Sequence, residues 1–223
     1  RDFPASKVIK IPNEISENAA ASILLQGMTV EYLFERLYKI KKNETILFHA
    51  AAGGVGLIAC QWAKSIGCNL IGTVSSEEKA QLAKENGCSF TINYKTENVT
   101  EKVKKITNGK GVSVVYDGVG KDTFEISLEC LDFKGLFVSF GQSSGMVPEV
   151  NLHKTFNPKS LFYTRPTLMH YNSTRAQLEE SSNTLFQKII NKEIKENIYK
   201  EIEMKNASEA HKLIQSRESY GSI

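Results

Sequence analysis

T-I-L-F-H-A-A-A-G-G-V-G-L-I-A-C-Q-W-A-K-S-I, residues 45–66, is the stretch that decides the fold. Residues 45–50 are a short, largely apolar run that reads as a strand, and residues 55–66 have the length and residue types of a helix. Between them lies A-A-G-G-V-G, 51–56. Glycines placed after a strand and at the opening of a helix carry meaning that a glycine pattern alone does not. Gly53 and Gly54 let the backbone come close to a pyrophosphate. Gly56 lets the helix lie tightly on the strand, and the helix N-terminus turns its unsatisfied N–H groups toward an anion. Ala51 stands where the first glycine of G-x-G-x-x-G would be, a departure from the fingerprint.

Outward from this unit the period keeps switching. Asn69–Val74 reads as strand and 77–86 as helix, closed by Gly87 where a left-handed residue is wanted. Strand at 89–94, a basic amphipathic helix at 99–107, strand at Val112–Asp117, helix at 123–131 and strand at 135–140 follow. The strands are nearly continuous apolar runs, as in sheets covered on both faces. Alternation of this kind predicts right-handed βαβ crossovers and an α/β, doubly wound parallel sheet, a Rossmann fold. Residues 16–40 should form one or two helices broken at Gly27, and 160–164 a further strand stopped by Arg165-Pro166. Helices are expected at 174–190 and Ala207–Ser216. The lysines at 102–105 and 192–200 read as solvated helix faces.

Composition narrows the classes. With 223 residues, 41% hydrophobic and 24% charged, the chain has ample material for a packed core. A net charge of +3 is too mild to mark a nucleic-acid or membrane-surface binder. No apolar run approaches a membrane span, and the start R-D-F-P-A-S-K-V-I-K lacks the apolar core of a secretory signal. Cys60, Cys68, Cys88 and Cys130 have no C-x-x-C or zinc-finger spacing; they read as reduced core residues of a cytoplasmic protein, with no metal site.

The end of the second strand tests the ligand. An NAD site places an acid there to hold the ribose 2′-hydroxyl. Here Ser75 and Ser76 occupy the tip and Lys79 lies one turn into the helix, with Glu77 and Glu78 beside it. Small hydroxyls and an ammonium suit a 2′-phosphate, favouring NADPH over NADH. A P-loop and H-E-x-x-H are both absent from the sequence.

Several stretches together resemble the zinc-independent NADPH:quinone oxidoreductases, the zeta-crystallin-like family of the medium-chain dehydrogenase/reductase superfamily. They are L-L-Q-G-M-T-V-E-Y-L (24–33), H-A-A-A-G-G-V-G-L (49–57), I-G-T-V-S-S-E-E-K-A (71–80), I-N-Y (92–94), V-V-Y-D-G-V-G-K-D-T (114–123), V-S-F-G-Q-S-S-G (138–145) and T-R-P-T-L (164–168). By that resemblance Gly53, Gly54, Val55 and Gly56 hold the pyrophosphate, Ser75 and Lys79 meet the 2′-phosphate, and Tyr94 lies beside the adenosine ribose-phosphate. Thr29, Phe140, Gly141 and Gln142 line the nicotinamide end, and Arg217 is a phosphate-side contact. The implied chemistry is hydride transfer from NADPH to a quinone or activated enone, with no obligatory side-chain acid. His49, His153, His170 and His211 are accordingly read as structural.

The resemblance also implies a GroES-like barrel of roughly 100 residues ahead of K-V-I-K-I-P (7–12) and one more strand after 221–223. On that expectation 1–15 is a remnant of the barrel domain, 16–170 the NADP-binding domain, and 171–223 a helical segment returning toward the barrel. A second reading is a non-catalytic NADPH-binding module, able to touch RNA as some zeta-crystallins do, although the mild charge and the lack of an aromatic-basic stripe disfavour nucleic acid. The strand at 160–164 should lie at the sheet edge, where the family forms a homodimer.

Overall fold

The computed structural model describes residues 2–216 and 219–223. Six strands form one sheet: β1 (Thr45–Phe48), β2 (Asn69–Val74), β3 (Phe90–Asn93), β4 (Val112–Asp117), β5 (Leu131–Ser139) and β6 (Phe162–Thr164). Their order is β3-β2-β1-β4-β5-β6 and every pairing is parallel. The order reverses between β1 and β4, so the loops after these two strands diverge and leave a crevice at the carboxyl edge of the sheet. Buried residues dominate β1, β2 and β4, in keeping with their continuous apolar runs.

The helices are α1 (Glu17–Glu31), α2 (Gly54–Ile66), α3 (Glu77–Glu85), α4 (Val99–Ile106), α5 (Phe124–Cys130), α6 (Leu152–Phe156), α7 (Leu168–Tyr171), α8 (Arg175–Ile190) and α9 (Ala207–Ser216). Ser16, Ser76, Asn98, Asn151 and Thr174 cap α1, α3, α4, α6 and α8 with their side-chain oxygens, and Thr174 and Gln177 complete a capping box. One apolar cluster holds Trp62, Ile46, Phe48 and Tyr116 with α1 and α8. A second, around Leu47, Ile71, Val115 and Phe137, is covered by α4 and α5. All four cysteines are free and buried, as expected.

Three expectations need correction. Gly27 does not break the first helix, because α1 runs through it to Glu31. The glycine is there for packing: a Cβ would come within 2.5 Å of Leu185 Cδ1 on α8. The break comes later, where α1 passes into a π-helical turn over Tyr32–Leu37. Residues 192–200 are loop rather than a helix face, with the Lys195 amide and carbonyl bound by the Gln61 side chain. Finally, β5 starts at Leu131 instead of 135, since Leu131 pairs with Val112 but Leu136 pairs with Val114. The bulge between, with Lys134 at φ 61°, interrupts the apolar pattern.

Candidate functional site

At the end of β1 the chain turns through Ala50, a non-glycine residue at φ 57°, before Gly53 opens α2. Ala50 is held in this left-handed turn by its N–H, which donates to Thr73 Oγ1 at 3.1 Å on the neighbouring strand. No side chain caps α2, leaving its first N–H groups to face the crevice. The three glycines differ in what they do. A Cβ at Gly56 would lie 2.6 Å from the Ala51 carbonyl carbon, so only glycine lets the helix sit on the strand here. At Gly54 it would meet the Gln26 side chain at 2.5 Å. At Gly53 the nearest atom is the Ala50 carbonyl oxygen at 3.3 Å, so its outer face has room for a close-approaching group. Ala51 in the first glycine position is accommodated by Gly72 on β2, whose own Cβ would collide with the Ala51 methyl.

Gln26, with its amide nitrogen 3.2 Å from the Gly54 carbonyl, also meets Ser222. The Gly221 N–H donates to the Ala52 carbonyl at 3.3 Å, and Ser222 pairs with the segment around Asn197 and Tyr199. The glycine turn is therefore strapped down by residues far away in the chain, an arrangement that no local pattern announced.

On the β2 side, Ser76 is occupied in capping α3, its Oγ accepting from the Lys79 N–H at 3.2 Å; Ser75 stands half-buried beside it. Lys79 is half-buried and its ammonium is pushed below the usual lysine range, first by desolvation and then by the charge of Lys95. Lys95 was not anticipated from the sequence. Two cations close enough to perturb one another at the end of β2 and β3 favour an incoming dianion. Tyr94 follows directly on β3 and is 49% exposed, so it is a surface aromatic rather than a core one.

Beneath the turn runs a buried polar chain. His49 Nε2 lies 3.1 Å from Ser127 Oγ and Nδ1 3.1 Å from Thr73 Oγ1. Ser127 Oγ donates to Asp117 Oδ2 at 2.8 Å, and Asp117 Oδ1 accepts the Val119 and Gly120 N–H groups. Ser127 spends its proton on Asp117, so it must accept from Nε2–H; Thr73 then donates to Nδ1 while accepting from Ala50. This assignment makes His49 a neutral Nε2–H imidazole, and burial indeed pushes its pKa down against the opposing pull of Asp117. The chain ties the turn after β1 to the loop after β4, the two walls of the crevice. His49 thus braces the site, in line with its structural reading.

The other end of the crevice is a cleft of about 440 Å³ lined by Thr29, Tyr32, Phe140, Arg165, Pro166, Thr167 and Leu168. It brings together Thr29 and Phe140, expected from sequence, with Tyr32 and Arg165, which were not. Thr29 Oγ1 donates to the Leu25 carbonyl at 2.8 Å, and Phe140 packs on Phe48 with ring centroids 5.5 Å apart. Gly141 and Gln142 continue from Phe140 along the loop. A Cβ at Gly141 would lie 2.8 Å from Gly118 Cα, so this glycine allows the loops after β4 and β5 to touch, while Gln142 is exposed. Tyr32 is buried and stacks on Tyr171 at 4.5 Å. Behind it, Arg36 binds Glu31 at 2.6 Å and the Tyr171 carbonyl at 2.7 Å, and Ser181 donates to Glu31 at 2.6 Å. Arg165 had been read only as a strand terminator; it is exposed and its Nη1 donates to the Ser139 carbonyl at 2.9 Å. Arg217 lies outside the described residues. Among the described residues no cluster of three or more His, Cys, Asp or Glu could hold a metal ion, and no helix is long and apolar enough to cross a membrane.

Comparison with known proteins places this geometry in context. Residues 54–189 match the family described as Zinc-binding dehydrogenase. A quinone oxidoreductase of Salmonella typhimurium is 50% identical over 220 residues, 98% of this chain and 67% of that protein. A 2-haloacrylate reductase of a Burkholderia species is 41% identical over 226 residues, 100% of this chain and 68% of that protein. The crystal structure of Escherichia coli quinone oxidoreductase complexed with NADPH superposes with a TM-score of 0.92 at 50% identity, covering 98% of this chain and 68% of that one. The chain thus spans about two-thirds of the length of these relatives.

Proposed function

The chain belongs to the zinc-independent quinone oxidoreductase family of the medium-chain dehydrogenase/reductase superfamily, and we propose that it binds NADPH along the carboxyl edge of its sheet and reduces a quinone or activated enone. One observation carries this reading. The uncapped glycine turn at the switch point has a pair of lysines on one side and an aromatic-lined cleft on the other. A dinucleotide needs those three features in that order. The outer face of Gly53 is open, and the neutral His49 imidazole braces the turn without adding a charge of its own.

In this reading Gly53, Gly54, Val55 and Gly56 receive the pyrophosphate on backbone N–H groups. Ser75, Lys79 and Lys95 receive the 2′-phosphate, and Tyr94 flanks the adenosine ribose. Thr29 and Phe140 border the nicotinamide. The bound dinucleotide supplies the hydride, so the protein's part is to orient the donor and acceptor and to exclude water. The residues lining the cleft suit that part: Phe140, Pro166 and Leu168 are apolar, and Tyr32 and Thr29 offer hydroxyls.

The relatives' names also include a haloacrylate reductase, which favours an electron-poor double bond conjugated to a carbonyl as the wider acceptor class. NADPH absorbance loss on adding an ortho-quinone to the purified chain, beside a no-protein control and a fluorescence titration of NADPH, tests the proposal. Binding with turnover supports it. Binding without turnover would leave only a cofactor module, and no binding would remove the reading altogether. The outer edge of β6 has Phe162 and Tyr163 largely exposed, and a homodimer joining two sheets there would cover them; a monomeric mass in solution at micromolar concentration would refute that part.

A further inference from the structure

We propose that Arg165 takes the carbonyl oxygen of the acceptor, holding the negative charge that collects there as the acceptor is reduced. The inference rests on the oxidoreductase reading above and adds the group that polarises the substrate. Among the described residues, Arg165 is the sole charged side chain on the cleft wall, which it shares with Tyr32, Phe140 and Leu168. Its Nη1 is anchored to the Ser139 carbonyl, at the end of the strand that leads into Phe140. A guanidinium has five N–H donors, so this anchor leaves others for a ligand. Among the described residues no carboxylate lies within ion-pair distance of it. Its backbone is held as well, because it precedes the buried Pro166, which restricts it to extended conformations. Burial raises the Tyr32 hydroxyl's pKa, keeping it a neutral donor on the same wall, and the Arg165 charge reaches far enough to pull against that shift.

The chemistry calls for such a group. Hydride adds two electrons and a proton to the electron-poor carbon of an enone. The C=C pair moves toward the carbonyl, and the oxygen becomes an enolate; a proton from water then restores neutrality at the neighbouring carbon. In a quinone the same charge falls on a ring oxygen. A preorganised cation at that oxygen stabilises the transition state more than the ground state. Arg165 is exposed, so water screens part of the effect and the expected contribution is roughly ten- to a hundredfold in rate.

Para-nitrophenolate, an anionic oxygen on a flat conjugated ring, imitates the charged acceptor, and para-nitroanisole is its neutral counterpart. With NADP⁺ present, the wild-type chain is expected to bind the phenolate at least about tenfold more tightly than the ether. Arg165→Gln, whose amide can keep the bond to Ser139, should lose that preference while binding the ether and NADPH as before. Arg165→Lys should recover part of it. The proposal is overturned if the wild type shows no preference, if Arg165→Gln retains it, or if both probes weaken equally, which would mean that the cleft itself had collapsed. A preference for the phenolate in a chain that fails to oxidise NADPH when quinones and enones are supplied would sink the reductase reading while leaving the anion site standing.

Discussion

Gly53 and Gly56 lie three residues apart in one turn, yet alanine at the two positions should have opposite consequences. At Gly56 the new methyl would stand 2.6 Å and 2.7 Å from the Ala51 carbonyl carbon and Cα, where ordinary contact starts at 3.4 Å. That is an overlap of 0.7–0.8 Å with backbone that is itself buried and paired to β2, so it cannot swing aside as a side chain would. Overpacking of this kind costs about 1–3 kcal/mol. Alanine's better helix propensity returns less than about 1 kcal/mol in the first turn of α2. A net loss of about 1–2 kcal/mol corresponds to a melting temperature lower by about 2–8 °C for a chain of this size. At Gly53 the nearest atom is at 3.3 Å, and φ −76° with ψ 171° suits alanine. Stability should hold or rise by up to about 1 kcal/mol through the unfolded chain. The methyl would instead fill the space into which a pyrophosphate must come, weakening NADPH about tenfold or more. Thermal melts and fluorescence titrations of NADPH on both variants check this. Gly53→Ala with unchanged NADPH affinity would remove the turn as the cofactor's seat, and a Gly56→Ala that melts with the wild type would refute the close-packing argument.

Lys79→Ala should weaken NADPH about ten- to a hundredfold, the worth of a charged hydrogen bond, and NADH less than about twofold; equal losses in parallel titrations would end the 2′-phosphate assignment. Lys95→Ala should act in the same direction but less, since Lys95 is the more exposed of the pair. The His49 pKa is lower in the folded chain than its ordinary 6.5, so the unfolded chain takes up the proton first and stability falls as pH drops below about 6.5. Urea midpoints at pH 7.5 and 5.5 should therefore converge in His49→Gln relative to the wild type, and an unchanged gap would contradict a buried neutral imidazole. Glu31→Ala strands the guanidinium of Arg36, whose side chain is only 19% exposed, and should cost about 3–5 kcal/mol in denaturant unfolding; a loss under about 1 kcal/mol would show that Tyr171 and Asn172 satisfy Arg36 alone.

What the sequence made legible follows from how locally each feature is encoded. The strands buried on both faces announce themselves as apolar runs, and the glycine turn is read because its constraints act between neighbours in the chain. Ser75 and Lys79 fall at the tip of β2 by counting alone. Where two distant segments share a constraint, reading failed. Gly27 suggested a break because the residue that needs its missing side chain, Leu185, is 158 positions away. Lys95 acts on Lys79 because β2 and β3 pair, and nothing in its chain neighbours announces that.

The cleft proposed for the acceptor shows the same division in its sharpest form. Thr29 and Phe140 could be carried over from a resemblance, but Tyr32 joins the cleft where α1 passes into a π-helical turn. That turn is secured by the Glu31–Arg36 pair, which in turn grips Tyr171 and Asn172 at the end of α7 and is met by Ser181 from α8. The Nη atoms of Arg36 thus meet residues more than a hundred positions downstream, and no pattern within α1 could reveal them. A buried ion pair of this sort is a poor source of stability compared with apolar packing. Its position directly behind a cleft residue gives it a different use: it ties the turn that carries Tyr32 to α7 and α8. The proposed cofactor edge is written in adjacent residues, whereas the cleft proposed for the acceptor is written in contacts between α1, β6 and α8, and that cleft is accordingly the part of the site that only the folded chain displays.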